Sequence, residues 1–425
     1  MCTSRDRGRT CRHTLFVVGN ALGAGCLALP QHALRTGVAL FAVACVLAAF
    51  LVVCTMAVVE RMFGGNMSAP CNAARPAAYG VIGEGVTRQQ PRGRLASVVL
   101  APAYILICGL YALELQKIFL PEHTSVVKPS FYVVYIIGLL WVTSTVAFIP
   151  SGKCLPAAFG RRGIETVVVL LTVVAVVLMI GTGSHMLFRA FRGSGEFHEC
   201  MRDVVLPPLN FGVHDVGVAT VRATFTCWLA LSFYIAAPRL SNTARRENIN
   251  EYGIVLYASC ILVVTYLMWT CAVTLTHTRH TCEHLNTSVG VAETIRVAYA
   301  DDVFAALPIP GESKTMVSVK VFAVLALVTS LVSTFMSLML MTQRACDTHW
   351  KRGVAAAGML AAASIAPFAA IQLNEFGGGF HFGAYVAGAA LAAEVATLVL
   401  YSWACAVMGR RRLRRRAALL AGTAV

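Results

Sequence analysis

Residues 19–30 read GNALGAGCLALP, so three glycines, an asparagine and a proline interrupt an apolar run that extends from about residue 14 to 34. Inside a helix, glycine costs about 1 kcal/mol and proline about 3 kcal/mol relative to alanine. In lipid, a backbone group that loses its helical partner must find another or line a cavity. We therefore predict a discontinuous membrane helix, unwound around Gly23–Gly25. The alternative is that Gly19 and Gly23 form a small-residue notch against a neighbouring helix.

The whole chain is too apolar for a soluble protein. Of its 425 residues, 57% are hydrophobic and 13% are charged, and the mean hydropathy is +0.70, whereas soluble proteins have about 25% charged residues. The sequence therefore predicts an all-α, multi-pass protein whose surroundings are the lipid bilayer. The net charge of +15 does not indicate a nucleic-acid partner, because the basic residues lie in short segments between apolar spans, as topology signals do.

Ten apolar stretches are long enough to cross about 30 Å of hydrocarbon. We number them span 1 to span 10, and they cover residues 14–34, 37–59, 96–120, 131–149, 165–187, 219–239, 253–275, 317–341, 353–373 and 381–407. Lysine and arginine residues concentrate in alternate connections and at both ends of the chain. The positive-inside rule then predicts that both termini are cytoplasmic. We expect the protein in the cytoplasmic (inner) membrane.

The lengths of the connections suggest two repeats. A long connection follows span 2, at about residues 60–95, and another follows span 7, at about residues 276–316. Five spans per half is an odd number, so a duplicated unit would return inverted, as in secondary transporters whose site lies at the midplane. Coincidence in the connection lengths is the alternative. The predicted units are a basic N-terminus, a first repeat, an outer loop, a second repeat and a basic cytoplasmic tail, at residues 1–13, 14–187, 188–218, 219–407 and 408–425.

The run from Gly19 to Pro30 resembles the opening signature of the hydroxy/aromatic amino acid permease family, a branch of the amino acid–polyamine–cation superfamily. Scattered motifs extend the resemblance to spans 2, 6, 7 and 8. They are Gly37 and Glu60, Ser232-Phe233-Tyr234 with Pro238-Arg239-Leu240, Gly253 with Tyr266 and Trp269, and Ala326-Leu327-Val328-Thr329-Ser330. The chain departs from the family at Ser232 and Tyr234, where a glycine and a histidine are usual. We also expect ten helices here, whereas many members have an eleventh.

This resemblance implies a LeuT-type fold of two inverted five-helix repeats and the inward, cation-coupled transport of an aromatic or hydroxy amino acid. An unwound helix offers N–H groups to a carboxylate and carbonyl groups to a cation or an amine. The substrate-binding residues it implies are Gly19, Asn20, Ala21, Gly23, Ala24, Gly25, Ser232, Phe233 and Tyr234. The resemblance implies a proton as the coupling ion, and no other cofactor.

Three polar residues inside spans are candidates for ion coupling. Thr329 and Ser330 lie in the middle of span 8. The resemblance to the LeuT-type fold implies that they lie beside the break in span 1, where their hydroxyls could coordinate Na⁺. The alternative is that each hydroxyl bonds to a carbonyl of its own helix. Glu394 lies near the centre of span 10. It is either a proton carrier or a structural acid paired across the bundle.

The remaining polar clusters point to less specific roles. Glu114 and Lys117 are three residues apart in span 3 and are expected to form a structural pair. His277, His280, Cys282 and His284 lie in the predicted outer loop, with ligand types suited to zinc but at no standard spacing. An ordinary exposed loop is the alternative, and we expect no metal.

The chain has no Gly-x-Ser-x-Gly elbow, phosphate loop or His-Glu-x-x-His motif. We therefore do not expect an enzyme. An exchanger or exporter on the same fold, a passive channel, and a membrane enzyme or structural subunit are the alternatives to an importer.

Overall fold

A computed structural model of the protein describes residues 4–62, 91–120, 127–144, 161–192, 213–231, 251–285, 313–345 and 349–377. These residues form ten helices and no strand. The helices are α1 (Ser4–Ala21), α2 (Ala24–Thr36), α3 (Val38–Met62), α4 (Pro91–Phe119), α5 (Pro129–Thr143), α6 (Arg161–Phe191), α7 (Val213–Ala230), α8 (Glu251–Leu285), α9 (Ser313–Ala345) and α10 (His349–Gly377).

These ten helices are not the ten predicted spans. Span 1 contributes two of them, α1 and α2, and spans 2 to 9 contribute one each. Span 10 and the basic tail lie outside the described residues. The all-helical class is therefore confirmed for the part of the chain that the structure describes, whereas the tenth span stays a prediction.

Within the described ranges, four helices contain segments long and apolar enough to cross a membrane. These segments are Gly163–Phe191, Gly253–Thr276, Val317–Leu340 and Trp350–Ala369, with mean hydropathies of 2.7, 2.0, 2.2 and 1.3. Shorter apolar helical segments lie at Val38–Cys54 and Pro129–Thr143. This is the pattern expected of a membrane protein.

The apolar helices differ in how much of their surface the protein covers. The α9 segment is 72% buried, whereas the segments of α6 and α10 are 28% and 22% buried. Large apolar side chains such as Leu170 and Val177 of α6 are 62% exposed. Exposed apolar surface on this scale is unusual for a soluble protein and suits contact with lipid. Helix α9 therefore lies at the centre of the bundle, and α6 and α10 lie at its edge.

The packing places α9 against α4, α6, α1 and α5. Helix α8 packs against α6, α1, α2 and α3, and α7 packs against α2 and α3. Helix α4 also packs along α10, where Gly109 allows a close approach, because a Cβ atom at Gly109 would lie 2.7 Å from the carbonyl oxygen of Ala366. The interrupted pair α1–α2 is thus enclosed by α3, α4, α6, α7, α8 and α9.

Helix α10 contains Pro367 in its interior. A proline has no N–H group, so the carbonyl four residues earlier, that of Ala363, loses its helical donor. The Tyr135 hydroxyl of α5 donates to this carbonyl at 2.8 Å, and the Tyr132 hydroxyl donates to the next carbonyl, that of Ser364, at 3.2 Å. Helix α5 therefore supplies the donor that Pro367 removes from α10.

Candidate substrate site

The predicted interruption of span 1 is present. Helix α1 ends at Ala21 and α2 begins at Ala24, so Leu22 and Gly23 separate the two helices. Gly23 has extended backbone angles, with φ −72° and ψ −151°. The unwound segment is shorter than Gly23–Gly25 and begins one residue earlier, because Gly25 already belongs to α2. The first turn of α2 closes when the Cys26 N–H donates to the Gly23 carbonyl at 3.2 Å.

The carbonyl groups at the end of α1 are paired by side chains from two other helices. The last four carbonyls of a helix have no partner inside it. The Ser330 hydroxyl of α9 donates to the Gly19 carbonyl at 2.9 Å, and the Tyr266 hydroxyl of α8 lies 2.7 Å from the Ala21 carbonyl. The break is therefore enclosed by polar groups of the opposite half of the chain.

A second helix ends at the same point. Helix α7 ends at Ala230, and the Tyr266 hydroxyl lies 3.0 Å from the Ala230 carbonyl. The carboxyl end of a helix carries a partial negative charge, so two such ends meet at one phenol. Ser232, Phe233 and Tyr234 follow directly in the chain, but they lie outside the described residues.

The amino end of α2 faces the break without a cap. Its N-cap residue is Gly23, no side chain caps it, and its first turn contains no acidic residue. The N–H groups of a helix's first turn have no partner inside the helix and carry a partial positive charge. The ring of Tyr111, from α4, lies over Gly23, and a Cβ atom there would be 2.8 Å from the ring atoms. An uncapped amino end thus lies beside an aromatic side chain.

Asn20 adds a polar side chain to the same enclosure. It is 1% exposed, and its Oδ1 atom accepts a hydrogen bond from Ser333 of α9 at 2.7 Å. Its Nδ2 group has no hydrogen-bond partner among the described residues. Burying an unpaired amide costs free energy, so this group would gain from a ligand that accepts a hydrogen bond.

The small-residue alternative for Gly19 and Gly23 also has a basis in the packing. A Cβ atom at Gly19 would lie 2.0 Å from Thr172 Oγ1 of α6, whereas one at Gly23 would meet Tyr111 of α4. The two glycines therefore allow close approach to two different helices. In a small-residue notch of the predicted kind, both glycines would face the same neighbouring helix, which is not the case here. Close packing at the two glycines and the break between the helices are both present.

The two candidate ion ligands of α9 behave differently. Thr329 and Ser330 are both fully buried. Thr329 donates to the carbonyl of Ala326 in its own helix at 2.9 Å, which is the alternative considered above, whereas Ser330 reaches across to α1. Glu394 lies outside the described residues. Of these two candidate ligands, Thr329 thus bonds within its own helix and Ser330 bonds to the end of α1.

Other predicted polar clusters lie away from the break. Glu114 and Lys117 form the expected pair, with 2.8 Å between Oε1 and Nζ. The placement of the histidine–cysteine cluster in an outer loop was wrong, because α8 continues to Leu285 and includes His277 to His284. The apolar sequence of span 7 ends near residue 275, but a helix can continue beyond it into polar sequence. The side chains of that cluster are not among those the structure describes.

Sequence reasoning missed four residues that surround the break. Three of them, Tyr111, Thr172 and Ser333, were not singled out at all. The fourth, Tyr266, was named for its ring, but the contact of its hydroxyl with the break was not predicted. The sequence shows an aromatic at position 266 but not the direction of its hydroxyl, which depends on how α8 rotates against α1 and α7. A buried hydroxyl every three to four residues along span 8, at Ser330, Ser333 and Ser337, was the available signal for Ser333.

No protein-family model matches this chain, and a comparison with curated proteins finds no significant match. The resemblance of span 1 to the amino acid permeases therefore stays a prediction based on the residues quoted above.

Proposed function

We propose that the protein is a secondary transporter that carries an amino acid across the cytoplasmic membrane, coupled to a cation, with both termini in the cytoplasm. One observation carries the proposal. The break at Leu22–Gly23 sets the uncapped amino end of α2 close to the carboxyl ends of α1 and α7, deep inside a bundle of apolar helices. Such a discontinuous helix is the binding element of many inverted-repeat transporters.

A free amino acid matches the charge pattern of this break. Its carboxylate would bind the N–H groups at the start of α2, contributed by Gly23, Ala24 and Gly25, because anions are favoured at the amino end of a helix. Its ammonium group would bind near the carbonyl-rich ends of α1 and α7. The substrate side chain would lie beside Tyr111 and the segment with Ser232, Phe233 and Tyr234, which fits the aromatic or hydroxy substrate that the family resemblance implies.

The packing supports two inverted five-helix repeats of the LeuT type. Such a duplication relates each span to the one five positions later. Each of the four pairs α2 with α7, α3 with α8, α4 with α9, and α5 with α10 is in contact. Two further contacts have equivalents in the other half. Span 1 (α1 and α2) contacts span 7 (α8), and the equivalent contact joins span 6 (α7) to span 2 (α3). Span 3 (α4) contacts span 9 (α10), and the equivalent contact joins span 8 (α9) to span 4 (α5). The packing of α1 on α9 is more extensive than that of α7 on α4, so the two halves differ in detail.

The coupling ion is a proton or Na⁺, and different residues serve the two cases. Glu394 would carry the proton, so Glu394→Gln should flatten the dependence of uptake on external pH. Ser330 and Thr329 would bind Na⁺ through their hydroxyls, so Ser330→Ala should raise the Na⁺ concentration for half-maximal uptake. An unchanged pH dependence in Glu394→Gln would exclude Glu394 from coupling. An unchanged Na⁺ dependence in Ser330→Ala would exclude Ser330.

The direct test is uptake of a panel of radiolabelled amino acids into proteoliposomes, with proton and sodium gradients imposed separately. We expect saturable accumulation of an aromatic or hydroxy amino acid under one of the two gradients. Non-saturating flux without any gradient would indicate the alternative of a channel. Uptake that requires unlabelled amino acid inside the vesicles would indicate an exchanger.

The break itself is tested by Gly23→Leu, with Gly138→Leu as the matched control. Any side chain at Gly23 collides with the Tyr111 ring, whereas Gly138 is exposed on α5 and has nothing within 4 Å of its added Cβ. We expect Gly23→Leu to abolish uptake while the protein still inserts in the membrane, and Gly138→Leu to keep uptake. Normal uptake by Gly23→Leu would remove the break from the substrate site.

A further inference from the structure

The Tyr266 hydroxyl is the meeting point of two helix ends. It lies 2.7 Å from the Ala21 carbonyl of α1 and 3.0 Å from the Ala230 carbonyl of α7. Tyr266 itself is fully buried, and Ala21 and Ala230 are each 4% exposed. A phenol has one proton, so it can donate fully to only one of the two carbonyls at a time.

Two helix carboxyl ends brought together repel each other. Each carries the equivalent of about half a negative charge, located on its unpaired carbonyls. Water would screen this repulsion, but the burial of all three residues excludes it. In transporters with discontinuous helices, a bound cation commonly satisfies such ends. In this protein a neutral O–H group of α8 lies where that cation would bind.

We propose that the Tyr266 hydroxyl substitutes for a bound monovalent cation between the ends of α1 and α7, and that removing this hydroxyl creates a site for such a cation. Tyr266 is then a positioning residue that holds the two half-helices together without an ion. The inference deepens the proposed function and rests on it for the role of the break in transport. Its two tests measure stability and folded yield, so neither requires uptake. It concerns the Ala21 and Ala230 carbonyls, and not the Gly19 carbonyl that the Ser330 hydroxyl pairs.

Tyr135 provides a matched control for Tyr266. It is also a buried tyrosine whose hydroxyl donates to a helix carbonyl, that of Ala363, at 2.8 Å. That carbonyl lies inside a continuous helix, α10, and among the described residues the Tyr135 hydroxyl donates to no second carbonyl. Tyr→Phe at either position removes one buried donor. Only at position 266 does the change leave two helix ends facing each other.

The experiment compares wild type, Tyr266→Phe and Tyr135→Phe as purified full-length proteins. Thermal unfolding is followed in sodium, potassium and choline chloride at equal ionic strength. We expect Tyr266→Phe to gain a saturable rise in unfolding midpoint of about 3 °C or more in sodium or potassium relative to choline. Wild type and Tyr135→Phe should show a clearly smaller difference. A cation response of Tyr266→Phe equal to that of the other two proteins would overturn the proposal.

A second measurement covers the case in which Tyr266→Phe folds poorly. The membranes are solubilised separately in each of the three salts, and the monodisperse fraction is measured by size-exclusion chromatography. Recovery in sodium or potassium but not in choline supports the proposal, and equal loss in all three salts contradicts it. Both measurements proceed without transport, so a wild-type protein that moves no amino acid would refute the proposed function and leave this test intact.

Discussion

Among the interruptions of helical hydrogen bonding in the described part of the chain, those at Pro367 and at Leu22–Gly23 are treated differently. In α10, Pro367 removes one donor, yet the helix continues from His349 to Gly377, and the Tyr135 hydroxyl replaces the missing donor. At Leu22–Gly23 the helix ends and a new helix begins. There the Gly19 and Ala21 carbonyls at the end of α1 are paired by the hydroxyls of Ser330 and Tyr266, from two other helices.

The difference shows which kind of defect can bind a ligand. A proline inside a helix leaves one carbonyl unpaired, and one phenol is enough to restore the balance. An extended glycine between two helices leaves N–H groups on one side and carbonyl groups on the other. Only the second defect offers both polarities that a zwitterion needs. This is why we place the substrate site at the α1–α2 junction and not at Pro367.

The largest effect on stability is expected at Gly19, where α1 packs against Thr172 of α6. In Gly19→Ala, the added Cβ atom would lie 2.0 Å from Thr172 Oγ1, and overpacking of this kind costs about 3 kcal/mol. We expect a large loss of folded protein and of uptake, measured by thermal unfolding and proteoliposome transport. Gly181→Ala is the control, because nothing lies within 4 Å of its added Cβ on α6.

The double variant Gly19→Ala/Thr172→Ala sharpens this prediction. Removing the Thr172 hydroxyl and methyl groups leaves only its Cβ atom, at 3.2 Å, near the added methyl group. Folded yield should therefore recover substantially compared with Gly19→Ala alone. If Thr172→Ala gives no recovery, the clash with Thr172 does not explain the glycine.

The next effect concerns Asn20, whose side-chain Nδ2 group has no hydrogen-bond partner among the described residues, whereas its Oδ1 atom accepts from Ser333. Ser333→Ala removes the donor to Asn20 Oδ1, so a buried amide would lose its remaining partner at a cost of about 1–3 kcal/mol. We expect a lower unfolding midpoint and a changed KM for uptake. Ser364→Ala is the control, because the Ser364 hydroxyl bonds only to Leu360 of its own helix, at 2.7 Å. Equal effects of the two substitutions would mean that the Asn20 contact has no special role.

A smaller effect tests the repair of α10. Tyr135→Phe should destabilise the protein by about 1–2 kcal/mol, because the Ala363 carbonyl loses its donor. In a Pro367→Ala background the backbone N–H at position 367 can donate to that carbonyl, so the same change should cost less. A double-mutant cycle on unfolding free energies measures this coupling. Additive effects would show that Tyr135 does not compensate for Pro367.

The sequence predicted the location of the break but not its surroundings. Glycines and a proline within an apolar run are local signals, so the start of the interruption in span 1 could be expected within one residue and its end within two. The partners of the break lie far along the chain, because Tyr266 and Ser330 are more than 240 residues from it. Their convergence depends on helix packing and rotation, which apolar periodicity does not specify. The end of α8 was also not predicted. Hydropathy shows that the apolar sequence ends near residue 275, but it does not show that the helix continues to Leu285.

The smallest effect concerns the start of α1, where Arg12 Nη2 lies 3.6 Å from Glu165 Oε2 of α6. The Arg12 side chain is 42% exposed, so solvent screens the pair and we expect it to contribute about 0.2–1 kcal/mol. Lys117→Gln is the control, because the Glu114–Lys117 pair lies within one helix and links no two elements. Both Arg12→Gln and Lys117→Gln should change the unfolding midpoint only slightly.

The two variants should differ in uptake if the first half of α1 moves relative to α6 during transport. In that case only Arg12→Gln should change the maximal uptake rate, by less than about fivefold. Added salt should reduce the difference between the two variants. Equal rates for the two variants at low salt would argue that α1 and α6 stay together throughout the cycle.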